Sequence, residues 1–322
     1  MRKVTIGLIG CGWQGRVHAE CLAEINDAHL KAYADVNEEI AKSCLKDCGG
    51  DYTTTDARKI ISDDSIDAVY ICTRHDSHAP LAIAAAEAGK HILLEKPIAL
   101  ALEDCERVAE AVDKHGVIMM PAFKMRYYPC IVKAREFIPK PHVIVGQVMD
   151  NRWPDDLWAQ DPILGGGNVQ SQGCHTTDIL RFFADSEPKK IWATGGALTH
   201  PGHECIDQCV ASIQFENGVV ASWIQGDACQ TEFTSKFFFE MFGEGRSVAI
   251  YDRLKKATFR DGENSWTEER PEEEGYQLEN EAFIKALQEN RQPELTALDG
   301  IQATRMVLAA DKAIRTGDVQ EF

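Results

Sequence analysis

One short segment constrains the fold of this chain more than any other. An apolar run typical of a buried strand, Val4–Ile9, leads directly into a glycine-rich turn and then into a helical pattern. The turn has the spacing G-x-G-x-x-G, which is informative when it lies between a strand and a helix. Gly10 permits a tight turn, Gly12 lets a ligand approach the backbone, and Gly15 lets the helix pack closely. We therefore predict a dinucleotide-binding Rossmann domain whose helix N-terminus faces the phosphates.

The predicted second strand, His29–Ala34, ends at an acidic residue, Asp35. A carboxylate at this place accepts hydrogen bonds from the adenosine ribose hydroxyls. Its negative charge also repels the additional phosphate of NADP. Asp35 therefore favours NAD over NADP as the cofactor.

Strands and helices alternate up to about residue 120, the pattern of a doubly wound parallel sheet with crossover helices. The predicted strands are Val4–Ile9, His29–Ala34, Ala68–Cys72, His91–Leu94 and Val117–Met120. The predicted helices are Val17–Ile25, Glu38–Cys48, Pro80–Ala88 and Leu102–His115. We expect this α/β Rossmann domain, the NAD-binding domain, to occupy residues 1–121.

From about residue 143 the strands become longer and alternate with period two, which indicates an open, mostly antiparallel sheet. The predicted strands are Val143–Val148, Ile191–Gly195, Gln208–Phe215, Val219–Gln225, Phe237–Phe242 and Ser247–Tyr251. Hairpin turns are expected at residues 216–218 and 243–245. The acidic run Glu268–Glu274 is expected to be a solvated loop. Two helices are expected at the end of the sequence, at Gln277–Glu289 and Leu298–Thr316. Residues 122–322 are thus a predicted α+β domain for substrate binding and oligomerisation, whose last helix is a candidate to pack back on the first domain.

The composition restricts the partners. The net charge is −17 over 322 residues, so the surface repels phosphate backbones and anionic lipid, and neither nucleic acid nor a membrane is expected as a partner. The eleven cysteines are scattered through helix and strand patterns, which is typical of reduced thiols in a cytoplasmic protein. His200, His203, Cys205 and Cys209 are metal-ligand types, but the strand entered at Gln208 offers no tight chelating turn. We therefore expect no metal site, and whether these four residues bind anything is left open.

The run from Ala79 to Pro97, which ends in Glu95-Lys96-Pro97, resembles the signature of the Gfo/Idh/MocA oxidoreductase family. Four further segments resemble this family in the same order: Thr73–His78, Met125–Pro129, Gly165–Asp178, and the helix of Tyr276, Glu279 and Phe283. In the first of these segments, Arg74 stands where the family usually has proline. The resemblance implies a homodimer or homotetramer that pairs through the outer face of the second sheet. It also implies a cis peptide bond before Pro97.

The glycine turn, Asp35 and this resemblance together define the expected cofactor site. The residues expected to contact NAD are Gly10, Gly12, Trp13, Gln14, Gly15, Asp35, Thr73, Arg74, His75, His78, Glu95, Lys96 and Lys124.

Two residues are predicted to carry the chemistry. Oxidation of an alcohol removes the hydroxyl proton as hydride leaves carbon, which requires a base and a positive field for the developing alkoxide. Lys96 lies just beyond a strand, where open α/β sheets bind ligands, and it supplies such a field. His175 follows a glycine-rich loop on an expected helix, and imidazole titrates near neutral pH. We predict Lys96 and His175 as the catalytic residues.

The expected substrate is a small carbohydrate-like molecule, because neutral donors and acceptors of the kind that carbohydrate sites use lie beside His175, and Lys124 adds a cation near Lys96. Ser171 stands where the family frequently has Asp, and it can bind a sugar hydroxyl without adding charge; Gln170 and Gln172 are similar. The predicted substrate-binding residues are Lys96, Lys124, Arg152, Trp153, Ser171, Gln172 and His175.

We therefore predict a dehydrogenase that transfers hydride between NAD and a secondary alcohol or ketone of a sugar, polyol or glycoside. Two alternatives are open. A reductase or dihydrodiol dehydrogenase for a non-carbohydrate substrate predicts an apolar pocket. A non-catalytic NAD-binding regulator does not require both Lys96 and His175.

Overall fold

The computed structural model describes residues 3–229, 235–270 and 274–322. The chain divides into two compact units. The first comprises Met1–Lys124 and Tyr276–Ile301, and the second comprises Met125–Gly275 and Gln302–Phe322. Among the described residues, no helix has the length and apolar character that crossing a membrane requires.

The first unit contains a parallel six-stranded sheet with the order β3-β2-β1-β4-β5-β6, the doubly wound arrangement predicted from the sequence. Its strands are β1 (Val4–Ile9), β2 (Ala28–Ala34), β3 (Tyr52–Thr54), β4 (Ala68–Ile71), β5 (His91–Leu94) and β6 (Met119–Pro121). Its helices are α1 (Trp13–Glu24), α2 (Glu38–Cys48), α3 (Ala57–Ile61), α4 (His78–Glu87), α5 (Leu102–His115) and α8 (Gly275–Gln288, from Tyr276).

The local sequence explains these elements. β4 and most of β1 are buried, because a parallel sheet is covered by helices on both faces and its strands are therefore almost wholly apolar. Helix α2 begins where the Asn37 side chain accepts a hydrogen bond from the N–H of Glu39. Helix α5 ends at Gly116, which has a left-handed φ of 64°. The strand order changes direction between β1 and β4, and this is where such folds bind ligands.

The second unit contains a nine-stranded sheet with the order β14-β13-β12-β11-β7-β10-β9-β8-β15. All of its strand pairs are antiparallel except β7 with β10, so the predicted mostly antiparallel sheet is confirmed. Its strands are β7 (Val143–Asn151), β8 (Pro188–Gly196), β9 (Gln208–Phe215), β10 (Val220–Cys229), β11 (Phe237–Gly243), β12 (Arg246–Tyr251), β13 (Lys256–Asp261), β14 (Asn264–Glu269) and β15 (Gln320–Glu321). Its helices are α6 (Pro129–Phe137), α7 (Gly167–Ala184) and most of α9 (Ala297–Thr316).

Helix α7 lies close against the sheet because two glycines leave room for it. A Cβ on Gly146 of β7 would come within 2.9 Å of the Leu180 side chain, and one on Gly173 of α7 within 2.6 Å of Trp223. Both distances are too short for a real contact. Helix α7 therefore has a fixed position over the centre of the sheet.

The structure contains several short or charged strands that the sequence analysis did not predict. Strands β3 and β15 have only three and two residues, and β14 is charged and mostly exposed, so none of these has an apolar pattern that predicts a strand. Strand β13 was not expected either, although Ala257 and Phe259 are buried at alternate positions. The acidic run Glu268–Glu274 is not a loop at its start, since Glu268 and Glu269 end β14; residues 271–273 lie outside the described residues. The final helix begins in the first unit, with Ala297–Ile301, and continues in the second.

Candidate active site

The glycine turn has the geometry expected of a dinucleotide site. Gly10 has a left-handed φ of 89°, and a Cβ there would lie 2.5 Å from the carbonyl oxygen of Cys72. A Cβ on Gly15 would lie 1.9 Å from the carbonyl oxygen of Gly10. A Cβ on Gly12 would meet nothing within 4 Å. The outer two glycines are therefore required by the protein itself, and open space over Gly12 leaves the backbone accessible to a ligand.

Helix α1 presents its N-terminus at this turn. Gly12 is its N-cap, and none of the described side chains caps the helix or places a carboxylate in its first turn. The first N–H groups of a helix have no partner within the helix and carry a partial positive charge. These N–H groups suit a pyrophosphate. Trp13, the first helical residue, is 81% exposed beside them.

Asp35 is held next to the turn by backbone groups. Its Oδ2 accepts a hydrogen bond from the N–H of Cys11 at 2.8 Å, and its Oδ1 accepts one from the N–H of Asn37 at 2.9 Å. The carboxylate is only partly buried, so each oxygen keeps capacity for a further donor. This arrangement fits a pair of ribose hydroxyls.

The segment Thr73–His78 follows β4 at the same edge of the sheet. His78 is fully buried, with Nδ1 2.7 Å from the Pro97 carbonyl oxygen and Nε2 3.0 Å from the Thr73 carbonyl oxygen. Burial lowers the pKa of His78, although the two carbonyls act in the opposite direction. His78 thus connects this segment to Pro97. His75 is also buried, with its ring centroid 5.5 Å from that of His78, and Arg74 is exposed.

Glu95 and Lys96 follow β5 and are both buried, 4% and 7% exposed. Gln14 donates to Glu95 Oε1 at 3.0 Å, His18 Nε2 lies 3.2 Å from the same oxygen, and the backbone N–H of Lys96 donates to Oε2 at 3.0 Å. Burial alone would raise the pKa of Glu95, but the hydrogen bond from His18 and the nearby charges lower it to about 2. The peptide bond before Pro97 is cis, as expected.

Lys124 and Gln14 are linked by an aromatic residue of α8. The Lys124 Nζ lies 3.6 Å from the centroid of the Tyr276 ring, a cation–π contact. The Tyr276 hydroxyl donates to Gln14 Oε1 at 3.1 Å. The predicted cofactor residues of the first unit are therefore brought together at the carboxyl ends of its strands.

In the second unit, α7 carries the predicted His175 and Ser171 one helical turn apart. Both are about 4% exposed, and Gln172 is half-buried. Two buried amides position the start of the helix: Gln225 of β10 donates to Asn168 Oδ1 and accepts from the hydroxyl of Thr176, both at 2.9 Å. Residues four apart share a helix face, so Ser171 and His175 point in one direction.

Further along α7, Arg126 makes a two-pronged pair with the buried Asp178. Its Nε donates to Oδ2 at 2.9 Å and its Nη2 to Oδ1 at 2.6 Å. This pair fixes α7 to the segment that follows β6.

Arg152 and Trp153 lie directly after β7, in a loop held by acidic side chains. Arg152 Nη2 donates to Asp155 Oδ1 at 2.6 Å. The backbone N–H of Trp153 donates to Asp227 Oδ2 at 3.1 Å, and its indole N–H to Asp150 Oδ2 at 3.2 Å. Arg152 also lines a shallow pocket of unit 2, together with Asn151, Leu198, Thr199, Ala228 and Cys229.

His200 is buried between two of these carboxylates. Its Nδ1 lies 2.7 Å from Asp155 Oδ1 and its Nε2 2.7 Å from Asp227 Oδ2. Burial lowers the pKa of His200, but hydrogen bonds to Asp227 and Asp155 outweigh it, and the pKa is raised. The two carboxylates therefore favour the protonated ring, while the Gln160 amide nitrogen also lies 2.9 Å from Nε2.

His200, Asp207 and Asp227 place potential metal-ligand atoms within 4.8 Å of one another. The Asp207 carboxylate, however, already accepts the backbone N–H groups of Leu198, Thr199 and His200 at 2.8 to 3.1 Å. The 2.7 Å separation of His200 and Asp227 is a charged hydrogen bond. Cys205 and Cys209 are buried thiols whose pKa burial raises to about 11 and about 12. The geometry is that of a hydrogen-bonded cluster.

Sequence reasoning missed several buried polar residues of these clusters, among them His18, Asn280 and Asp227. His18 has a local signal, because it lies four residues after Gln14 on a helix that follows the glycine turn. Asn280 has none, since it contacts His18 across 262 residues of sequence. Asp227 follows a strand pattern that predicts a buried apolar strand, so its sequence context gives no signal for a functional acid.

The comparisons with known proteins agree with this geometry. Residues 4–123 match the model of an oxidoreductase family with an NAD-binding Rossmann fold, and residues 135–249 match the Gfo/Idh/MocA C-terminal domain. Myo-inositol 2-dehydrogenase of Thermotoga maritima is 28% identical, over 97% of this chain and 96% of the relative. Levoglucosan dehydrogenase of Pseudarthrobacter phenanthrenivorans is 28% identical, over 79% of this chain and 75% of the relative.

A solved structure of a levoglucosan dehydrogenase, in complex with NADH and levoglucosan, has the same fold. It superposes with a TM-score of 0.92 at 23% identity, over 99% of each chain. In the first unit, the glycine turn, the uncapped N-terminus of α1 and Asp35 all fit NAD. Both domain models of the family match in order, and this chain is therefore an oxidoreductase that belongs to the Gfo/Idh/MocA family.

Proposed function

We propose that the protein oxidises a secondary alcohol of a neutral sugar, polyol or glycoside, or reduces the corresponding ketone. NAD, when bound, supplies the hydride acceptor. The observation that supports this most is the position of Lys96: a buried lysine at the carboxyl end of β5, on the same sheet edge as the glycine turn. An ammonium group at this place can stabilise the alkoxide that forms during oxidation.

In this proposal His175 takes the hydroxyl proton, and Lys96 stabilises the charge left on oxygen. His175 is buried on α7 and shares a face with Ser171, whose hydroxyl binds a second hydroxyl of the substrate. Arg152, Trp153, Gln172 and Lys124 complete the proposed substrate contacts. The predicted direct contacts of His78 and Glu95 with the cofactor stay predictions, because their described hydrogen bonds go to protein groups.

The chemical class of the substrate is supported by charge and by the relatives. A net charge of −17 disfavours an anionic substrate. The relatives named above act on an inositol and on levoglucosan, both neutral polyhydroxylated molecules. A cytoplasmic location is part of the proposal, since none of the eleven cysteines, all of which the structure describes, forms a disulfide.

The test is cofactor reduction with NAD across a panel of sugars, polyols and glycosides, first with wild type and then with Lys96→Ala and His175→Ala. General acid–base groups contribute about 10² to 10⁴-fold, so each variant should lose at least about 100-fold in kcat while the Kd for NAD changes by a few fold. The matched control is Lys114→Ala, an exposed lysine in the last turn of α5. Wild-type rates in both site variants would contradict the assignment, and no turnover on the panel would point to a non-carbohydrate substrate.

The cofactor preference has its own test. NAD should bind at least about tenfold more tightly than NADP, which corresponds to about 1.4 kcal/mol. Asp35→Ser should narrow this difference, because it removes the charge that repels the 2′-phosphate. Equal affinities of wild type for NAD and NADP in calorimetry would overturn the prediction.

We also propose self-association through the sheet of the second unit. Five apolar side chains stand on the face opposite α7 and are 39 to 49% exposed: Val143, Trp192, Val210, Val220 and Phe242. Covering such a surface stabilises a dimer or tetramer. Light scattering at micromolar concentration checks this, and a monomer would refute the assembly but not the fold.

A further inference from the structure

Glu95 is a buried carboxylate to which the proposed chemistry gives no role. Carboxylates are rarely buried without compensation, because an ionised group loses its hydration. Here three donors replace water: Gln14, His18 and the backbone N–H of Lys96. The last of these means that Glu95 holds the backbone of the lysine on which the proposed function depends.

The proton of His18 can be placed from its neighbour. The amide nitrogen of Asn280 donates to the Tyr276 carbonyl oxygen at 2.7 Å, which identifies it as nitrogen, and it lies 3.0 Å from His18 Nδ1. His18 Nδ1 also lies 3.3 Å from Asn280 Oδ1, so Asn280 offers this ring nitrogen both a donor and an acceptor. A proton lies on Nε2, because the Glu95 carboxylate that it faces at 3.2 Å accepts hydrogen bonds and does not donate them.

Two parallel chains of hydrogen bonds thus lead from α8 through α1 to Glu95. One runs from Tyr276 to Gln14 to Glu95, and the other from Asn280 to His18 to Glu95. The two members from α8 are four residues apart, and so are the two from α1. Residues at this spacing share one face of a helix, so two adjacent helix faces meet at a single carboxylate.

We propose that these two chains are a positioning device for Lys96, in which His18 is the residue that keeps Glu95 ionised and oriented. Glu95 in turn fixes the Lys96 backbone at the end of β5. Gln14 also belongs to the glycine turn, so the device ties the position of Lys96 to the turn that receives the cofactor. This inference rests on the proposed role of Lys96 in the reaction.

The consequence is specific to the charge of Glu95. Without the His18 donor, burial dominates, and the carboxyl takes up a proton at a higher pH. A protonated Glu95 no longer attracts Lys96 and binds its N–H more weakly. Such a change lowers kcat and leaves KM nearly unchanged, because no substrate contact is lost.

The test compares His18→Leu with His18→Gln and with Tyr33→Phe. Leucine removes the donor, whereas the glutamine amide places an N–H near the position of Nε2. Tyr33→Phe is the matched control, because it removes a buried hydrogen bond to the Gly49 carbonyl in the same unit. We expect His18→Leu to lower kcat at least tenfold and to move the acid limb of the kcat–pH profile upward by at least one pH unit. His18→Gln should restore kcat to within about threefold, and Tyr33→Phe should show neither effect.

A second measurement does not depend on turnover. The ionisation of Glu95 is followed by ¹³C-carboxyl NMR on the protein without added cofactor, with the resonance assigned by Glu95→Gln. His18→Leu should raise the titration midpoint of Glu95 by at least one pH unit, and His18→Gln should not. If His18→Leu does not fold, Asn280→Ala takes its place, with a shift in the same direction.

The proposal needs both results, a shifted carboxyl titration and a lowered kcat; either one without the other overturns it. Lys96→Ala separates this from the proposed function. If Lys96→Ala keeps full turnover, the proposed function fails. If Lys96→Ala is inactive and His18→Leu behaves like Tyr33→Phe, only the present inference fails.

Discussion

In each unit a buried histidine lies against a buried carboxylate, and the two clusters differ in the number of carboxylates around the ring. In the first unit His18 lies between one carboxylate, Glu95, and the amide of Asn280. In the second unit His200 has a carboxylate at each ring nitrogen, and the Gln160 amide nitrogen also lies 2.9 Å from its Nε2. A positive charge on the imidazole is therefore favoured by two carboxylates in the second cluster and by one in the first.

This difference indicates which role each cluster can have in the structure. The His18 cluster stabilises a single negative charge beside Lys96, at the carboxyl ends of the parallel strands. The His200 cluster places two carboxylates, Asp155 and Asp227, around one imidazole, and both also bind the loop that carries Arg152 and Trp153. The first is suited to setting a charge, and the second to fixing a loop.

The largest expected difference is in stability. His200→Leu leaves Asp227, fully buried, without its cation, and breaking a buried pair in this way costs about 3 to 5 kcal/mol. His18→Leu leaves Glu95 with two of its three donors, so we expect about 1 to 3 kcal/mol. Urea unfolding at pH 7 measures both.

The controls for this comparison are His203→Leu, whose ring lies 5.4 Å from that of His200, and Tyr33→Phe. Both should cost about 1 kcal/mol or less. Equal losses in His200→Leu and His203→Leu would show that the imidazole charge contributes nothing.

The two clusters should also lose stability at opposite ends of the pH scale. The pKa of Glu95 is lowered from 4.5 to about 2, so its contribution is complete above about pH 4.5 and is lost as the pH falls toward 2. At 1.36 kcal/mol per pH unit this is on the order of 3 kcal/mol. The pKa of His200 is raised from 6.5, so its contribution is complete below about pH 6.5 and is lost as the pH rises through the folded-state value.

Unfolding free energies from pH 3 to 9 check this prediction. Glu95→Gln should remove the acid-side slope, and His200→Gln the alkaline one. If Glu95→Gln instead removed the alkaline slope, or His200→Gln the acid-side slope, the assignment of that slope would be wrong.

The smallest expected effect is that of Asp155→Ala. Asp155 is exposed, and its pKa is lowered by hydrogen bonds from His200 and Arg152. Its removal should change the free energy of unfolding by no more than about 1 kcal/mol. If the loop contacts substrate as proposed, KM should rise a few fold with kcat unchanged, and a loss of kcat instead would place Asp155 nearer the chemistry. Asp156→Ala, next to it in the loop, is the control.

The sequence predicted the parts of this molecule that have a local signal. The Gly10–Gly15 turn, the strands β1 and β5 and the helices α2 and α5 agree with it, because each is specified by neighbouring residues. The supporting residues Asn280 and Asp227 could not be predicted in this way, since their partners are distant in sequence and a buried amide or acid within an apolar pattern has no spacing of its own. The short strand β3 and the charged strand β14 were missed because neither has an apolar pattern.

The discontinuity of the first unit has a consequence for how the chain can be divided. Residues Tyr276–Ile301 return to the unit that begins the chain, and they supply Tyr276 and Asn280 to the network around Glu95. A fragment that stops at Lys124 keeps every strand of the parallel sheet but lacks this support. An exchange of cofactor modules between relatives therefore requires two exchanged segments and three crossover points, after Lys124, before Tyr276 and after Ile301. During synthesis, the network around Glu95 closes only after the first and longer segment of the second unit, Met125–Gly275, has been made.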